Sequence, residues 1–156
     1  MRIVAGHSSV SELDSHVGYW LRTVSNHVSH AFQRKVEDSG VTVAEWVVLR
    51  LLHGSEPVNP SQLAERMGMT RGAVSKLVER LVRKQLVERL ASRDDRRFQT
   101  VGLTADGRKL VPVLARLADR NDHEFFGQLS AADRRKLVAQ LRQIARFHGW
   151  QNSPVD

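Results

Sequence analysis

Between Ser61 and Leu103 the chain presents, in immediate succession, a short amphipathic segment, a glycine, a longer amphipathic segment and two apolar runs around a charged tip. Few folds accept that order. In SQLAERMG, Leu63, Ala64 and Met67 share one helical face, and Gly68 closes the segment. Thr70 can cap the next segment, RGAVSKLVERLVRK, whose inward stripe is Val74, Leu77, Val78, Leu81 and Val82. The runs Leu86 to Leu90 and Phe98 to Leu103 suit strands. Between them lies Ala91-Ser92-Arg93-Asp94-Asp95-Arg96-Arg97, so this end reads as a hairpin with a charged tip.

The flanks are helical. A first helix is predicted from Ser11, where Ser11-Glu12-Leu13-Asp14 resembles a capping box, with Leu13, Val17, Trp20, Leu21, Val24, Val28, Ala31, Phe32 and Val36 at helical spacing up to Gly40. At about 26 residues it would be about 39 Å long, more than the core of so small a domain needs, so it is expected to pack on another subunit as well. A second helix starts at Thr42, with Glu45 reaching back to complete a capping box, and ends at His53-Gly54; Ser55 to Pro60 is a proline-punctuated connection. From Thr104 a long helix follows, with a bend expected at Pro112, and another begins at Ser130 with Asp133 three residues on. The fold class is therefore mainly α with a small β-hairpin wing (α+β): a winged helix-turn-helix lobe over 42–103 and flanking dimerisation helices over 11–37 and 105–149, in a single unit spanning 1–156.

Charge gives this arrangement its chemistry. Of the net +7, residues 61–100 supply +5, from ten Lys or Arg against five Asp or Glu. A concentrated basic segment suits nucleic acid or an anionic membrane surface. No apolar run approaches the roughly 18 residues that span a bilayer, and MRIVAGHSSV lacks the pattern of a secretory signal, so the chain is expected in the cytoplasm and off the membrane. With no cysteine, thiolate catalysis, redox-sensing thiols and zinc-cysteine modules are excluded.

On a helical wheel Gly72, Ser75, Lys76, Glu79 and Arg83 oppose the apolar stripe, with Arg71 and Arg80 beside them. Small residues near the helix start allow close approach to the floor of a DNA major groove, Arg and Lys donate to guanine O6 and N7, and the helix N-terminus favours a phosphate. Taken singly, these cations are equally well read as solubilising surface charges. The hairpin shifts that balance, because Arg93, Arg96 and Arg97 occupy a turn where Gly, Asn or Ser would serve stability better. Arginine there can enter a narrow minor groove, and Asp95 is placed to orient Arg97 by a charge-assisted hydrogen bond. The candidate DNA-binding residues are Thr70, Arg71, Gly72, Ser75, Lys76, Arg80, Arg93, Asp95, Arg96 and Arg97.

Asp95-Arg96-Arg97 followed by Leu103-Thr104-Ala105-Asp106-Gly107 resembles the D-x-R wing and the L-T-x-x-G helix start of the MarR family, the multiple antibiotic resistance regulators. Ser61 to Arg89 resembles that family's helix-turn-helix, and the order of helices fits from about Ser11 to Gly149. The resemblance implies a triangular homodimer joined through the first, fifth and sixth helices, whose two winged lobes read a palindromic operator in double-stranded DNA. It also implies a repressor released by a small aromatic acid or phenol, with Arg97 in the minor groove and Asp95 supporting it. Phe125, Phe126, Leu129, Phe147 and Trp150, apolar residues near helix ends, point independently to a partner subunit. An effector pocket is expected near Trp20, His27 and Trp46, although tryptophans are more often core.

His27 and His30 are three apart on one helix, but the other histidines are scattered and no H-x-x-x-H pair occurs, so no metal and no cofactor is expected. No nucleophile-base constellation or Gly-rich phosphate loop supports an enzyme. The rival to sequence-specific regulation is an architectural or protein-interaction winged helix without sequence preference.

Overall fold

The computed structural model describes residues 10–95 and 99–150. Its elements are a short 3-10 turn Leu13–Ser15, then α1 (Val17–Glu37), α2 (Val43–Leu52), α3 (Pro60–Met67), α4 (Arg71–Arg83), β1 (Val87–Ala91), β2 (Gln99–Leu103), α5 (Ala105–Phe126) and α6 (Ala131–Phe147). This is the mainly helical fold with a two-stranded antiparallel hairpin that the pattern predicts. No described helix is long and apolar enough to cross a membrane.

Most helix starts sit where a side chain can satisfy the orphan amides of the first turn. Thr42 and Glu45 form the reciprocal capping box at α2, and Asn59 and Gln62 form a second one at α3, with Pro60 in the first turn. Thr70, Thr104 and Ser130 each accept from the backbone amide three residues on. Gly68 ends α3 in the left-handed conformation, at φ 63°, which turns the chain directly into α4.

The first helix differs from its prediction. Ser11 to Asp14 do not start it; the chain makes the 3-10 turn instead, and α1 begins at Val17 and runs for 21 residues, about 32 Å. Every residue from Val10 to Arg22 is exposed, so no packing fixes the helix start there, and local bonds decide it. Ser15 Oγ donates to the Glu12 carbonyl at 2.7 Å, and Trp20 Nε1 donates to the Asp14 carbonyl at 2.7 Å. Pro112 lies within the unbroken span of α5.

One core unites the lobe with the flanking helices. Leu49, Leu63, Met67, Val74, Val78, Leu81, Val87 and Val101 are fully buried, joined by Val36 from α1 and by Val111 and Leu114 from α5. The hairpin pairs Val87 with Leu103 and Ala91 with Gln99. Val58, in the proline-punctuated connection, adds a bridge to Val101, with N–O distances of 3.1 and 2.7 Å, and so clamps the α2–α3 loop onto the wing. Further out, Lys35 binds Asn121 Oδ1 at 3.0 Å and Glu124 Oε2 at 2.7 Å, while buried Asn121 donates to the Val28 carbonyl, which fastens α1 to α5.

The outer helices are left bare. No residue of α6 is buried, and Val138, Leu141, Ile144, Phe147 and Trp150 are exposed, as are Leu13, Val17, Trp20, Leu21 and Val24 near the other end of the chain. Between α1, the end of α5 and the start of α6 lies an apolar groove of about 470 Å³, lined by Trp20, Leu21, Val24, Phe125, Phe126 and Leu141 among others.

Candidate nucleic-acid interface

The recognition element is the turn Gly68–Thr70 and the helix α4. Its apolar stripe is consumed by the core: Val74, Leu77, Val78 and Leu81 are all buried. The helix therefore cannot rotate without exposing them, and the opposite face is fixed outward. On that face Arg71, Gly72, Ser75, Lys76, Glu79 and Arg83 are exposed. Nothing lies within 4 Å of where a Gly72 Cβ would stand, so this turn of helix offers an open, low surface. Thr70 is exposed, and its hydroxyl accepts from the Ala73 amide at 3.2 Å, so its first task is to cap the helix.

The two ends of the outward face differ. In the C-terminal half, Arg83 pairs with Glu79 at 3.5 Å, both exposed, a contact worth little in water. In the N-terminal half, Arg71 and Lys76 have no ion pair among the described residues, and the helix dipole adds positive potential there. Cationic side chains without an ion pair among the described residues therefore stand where the neighbouring side chains are smallest.

Arg80 is exposed on the outward side of α4 and also reaches back to α2. Its Nε lies 3.2 Å from Oε1 of Glu45, a carboxylate on α2 with 1% exposure, and Lys84 Nζ binds Oε2 of the same group at 2.7 Å. Lys84 also donates to the Gly40 carbonyl at 2.8 Å, and the Thr42 amide donates to Oε2 at 2.9 Å. Glu45 is buried while the Arg80 and Lys84 side chains are 47% and 38% exposed, so solvent screens both pairs and removing either cation costs less than breaking a fully buried pair. Sequence reasoning assigned Glu45 to the α2 cap and missed its second task. Only the approach of α4 to the start of α2 reveals it.

Arg93 is exposed, and Asp95 is half-buried at the end of the described part of the wing. The calls on Arg96 and Arg97 lie outside the described residues. At the wing's root the L-T-x-x-G motif has a structural reason. Thr104 donates its hydroxyl to the Gln85 carbonyl at 2.7 Å and accepts from the Gly107 amide at 3.1 Å, while its own amide donates to the Leu86 carbonyl at 3.1 Å. Gly107 packs so closely that a Cβ would stand 2.1 Å from the Leu86 oxygen.

Trp20 lines the apolar groove, whose lining includes neither His27 nor Trp46. Trp46 is half-buried against the lobe's core, and His27 is exposed on α1.

A capped helix-turn-helix with a small, basic outward face, followed by an antiparallel hairpin, defines a winged helix-turn-helix protein. Residues 39–97 match the model of the MarR family. The HTH-type transcriptional repressor MdtR of Bacillus subtilis is 34% identical over 101 residues, a match that covers 64% of this chain and 64% of MdtR, so the chain spans just under two thirds of that relative. Among solved structures, BpsR of Bordetella bronchiseptica, studied for regulation of its DNA binding by 6-hydroxynicotinic acid, superimposes with a TM-score of 0.75 at 29% identity, covering 87% of this chain and 97% of BpsR. MepR of S. aureus in complex with DNA gives a TM-score of 0.74 at 26% identity, covering 84% and 97%. Over residues 39–97 in sequence, and over most of its length in fold, the chain is similar to MarR family regulators.

Proposed function

We propose that this chain is a transcriptional regulator that binds double-stranded DNA as a homodimer on a palindromic operator, and that a small aromatic acid or phenol releases it. The observation that carries the reading is the N-terminal half of α4, where Arg71, Gly72, Ser75 and Lys76 stand exposed while the opposite face is locked into the core. The DNA-bound state of the structurally similar MepR supports it. In this reading 42–103 is the DNA-reading lobe and the helices within 11–37 and 105–149 hold two subunits together. The two recognition helices then meet one face of the duplex roughly 34 to 36 Å apart, about 10 to 10.5 base pairs between half-site centres. Selection of bound fragments from random duplex DNA tests binding, preference and spacing together: a palindrome with that spacing is expected, and recovery of fragments without a common sequence would favour the architectural alternative.

Base contacts and backbone contacts are separable in titrations. Lys76→Ala is expected to weaken operator binding by about 1 to 3 kcal/mol and to relax preference at one base position per half-site, with a smaller loss on scrambled duplex. Arg97→Ala, read from sequence as the groove-entering wing residue, is expected to weaken operator binding and flatten its salt dependence, its sequence effect confined to a flanking minor groove. Asp95→Ala should reproduce Arg97→Ala only in part. Equal losses on both duplexes for Lys76→Ala would remove its base-reading role, and unchanged affinity for Arg97→Ala would remove the wing.

The effector part rests on Trp20 in the apolar groove and on the 6-hydroxynicotinic acid that regulates DNA binding by the similar BpsR. A ligand shifts DNA affinity only by preferring one arrangement of the lobes. Millimolar salicylate is expected to quench tryptophan fluorescence and release operator DNA, with the quench reduced in Trp20→Phe. A full quench in that variant would move the site away from Trp20, towards His27 and Trp46.

A further inference from the structure

The outward row Lys76, Arg80 and Lys84 runs along one ridge of α4 at intervals of four residues, and its two lower members converge on a single buried carboxylate. Glu45 Oε2 is saturated by Lys84 and the Thr42 amide. Oε1 lies 3.2 Å from Arg80 Nε as an ion pair and has no hydrogen-bond partner among the described residues. Capping α2 does not require this arrangement, since Gln62 completes the equivalent box at α3 without a charge. A buried carboxylate with an imperfectly satisfied oxygen is costly, and groups of that kind are retained where they fix geometry.

We propose that Glu45 is a positioning residue for duplex recognition: through Arg80 and Lys84 it sets the rotation of α4, and so the direction in which Lys76 faces the DNA. The inference rests on the DNA-binding reading above. The mechanism is local. Lys76 and Arg80 are neighbours on the helix surface, so holding the ridge at positions 80 and 84 fixes the azimuth of the turn that carries Lys76. Lys84 extends the clamp to the Gly40 carbonyl, in the turn between α1 and α2, so the recognition helix is referenced to both helices behind it. The buried apolar stripe decides which face of α4 points outward, and the contacts of Arg80 and Lys84 with Glu45 add a polar constraint to that orientation.

The test uses the full chain, the duplex recovered by selection and a scrambled duplex of equal length. Glu45→Gln keeps an acceptor for the Thr42 amide and removes the charge; Lys84→Met removes the second arm from a partly exposed position. Both are titrated at a temperature where circular dichroism shows them as folded as wild type. The expected result is that the ratio of selected to scrambled affinity falls about tenfold in Glu45→Gln, with a smaller fall in Lys84→Met, while binding to scrambled duplex changes less than about twofold in Glu45→Gln. If Glu45→Gln does not fold, a fallen ratio in Lys84→Met supports the inference alone. A wild-type ratio in every folded variant, or equal losses on both duplexes, overturns it and leaves the DNA-binding reading intact. A wild-type chain that binds both duplexes equally, or neither, overturns the reading and this inference with it.

Discussion

Gly107→Ala is expected to destabilise the fold by about 3 kcal/mol, lowering the thermal midpoint by roughly 6 to 12 °C. In an ordinary helix interior the same change would stabilise by about 1 kcal/mol, because glycine loses more backbone entropy on folding than alanine. The sign reverses here because the added Cβ would stand 2.1 Å from the Leu86 carbonyl oxygen and 3.2 Å from a Leu103 methyl. That oxygen belongs to the backbone and is engaged by the Thr104 amide, so it cannot swing aside as a side chain would. The start of α5 has to move off the root of the hairpin, which strains the Thr104 cap and the Thr104–Gln85 bond together. Urea and thermal unfolding followed by circular dichroism measure the effect. An unchanged midpoint would mean that α5 and the hairpin slide past each other at little cost, and that the L-T-x-x-G motif does not lock them.

The second large effect is expected at the bare face of α6. Ile144→Asp should convert the protein to a monomer at micromolar concentration by light scattering, with operator affinity reduced by about a hundredfold or more. Ile144 is 45% exposed in the single chain, so the substitution costs the isolated subunit little. In a two-fold dimer each interface carries the change twice, and burying an unpaired carboxylate among Val138, Leu141 and Phe147 outweighs what those side chains gain from leaving water. Two half-sites bound by one dimer gain from linkage, and that gain disappears when the lobes separate. Circular dichroism should show the helices largely retained. A stable Ile144→Asp dimer would exclude α6 from the interface, and a wild-type monomer that binds the operator specifically would end the dimer reading.

The elements of the lobe were legible because each is terminated by its own local chemistry. Thr42 with Glu45, Gly68, Thr70, Thr104 and Ser130 with Asp133 all act where the sequence places them, since a cap or a left-handed glycine works within one turn and needs no distant partner. The stripe through Val74, Leu77, Val78 and Leu81 likewise predicts its own burial, because a helix of that periodicity has only one face to hide. Ser11 to Asp14 had a plausible cap and failed. A cap is worth about 1 kcal/mol, and with every residue from Val10 to Arg22 exposed no core contact selects that start over the 3-10 turn.

Sequence alone determined the order of helices and hairpin and the outward face of α4, which follow from periodicity and from bonds spanning a few residues. The tertiary structure decided what lies far apart along the chain. It brought Arg80 and Lys84 to Glu45, Val58 to Val101 and Lys35 to Asn121 and Glu124. The physical reason is that a charge or an amide shows its type in the sequence but not its partner. Which carboxylate a lysine meets depends on how two helices cross, and the crossing is set by the sum of many weak apolar contacts across the core.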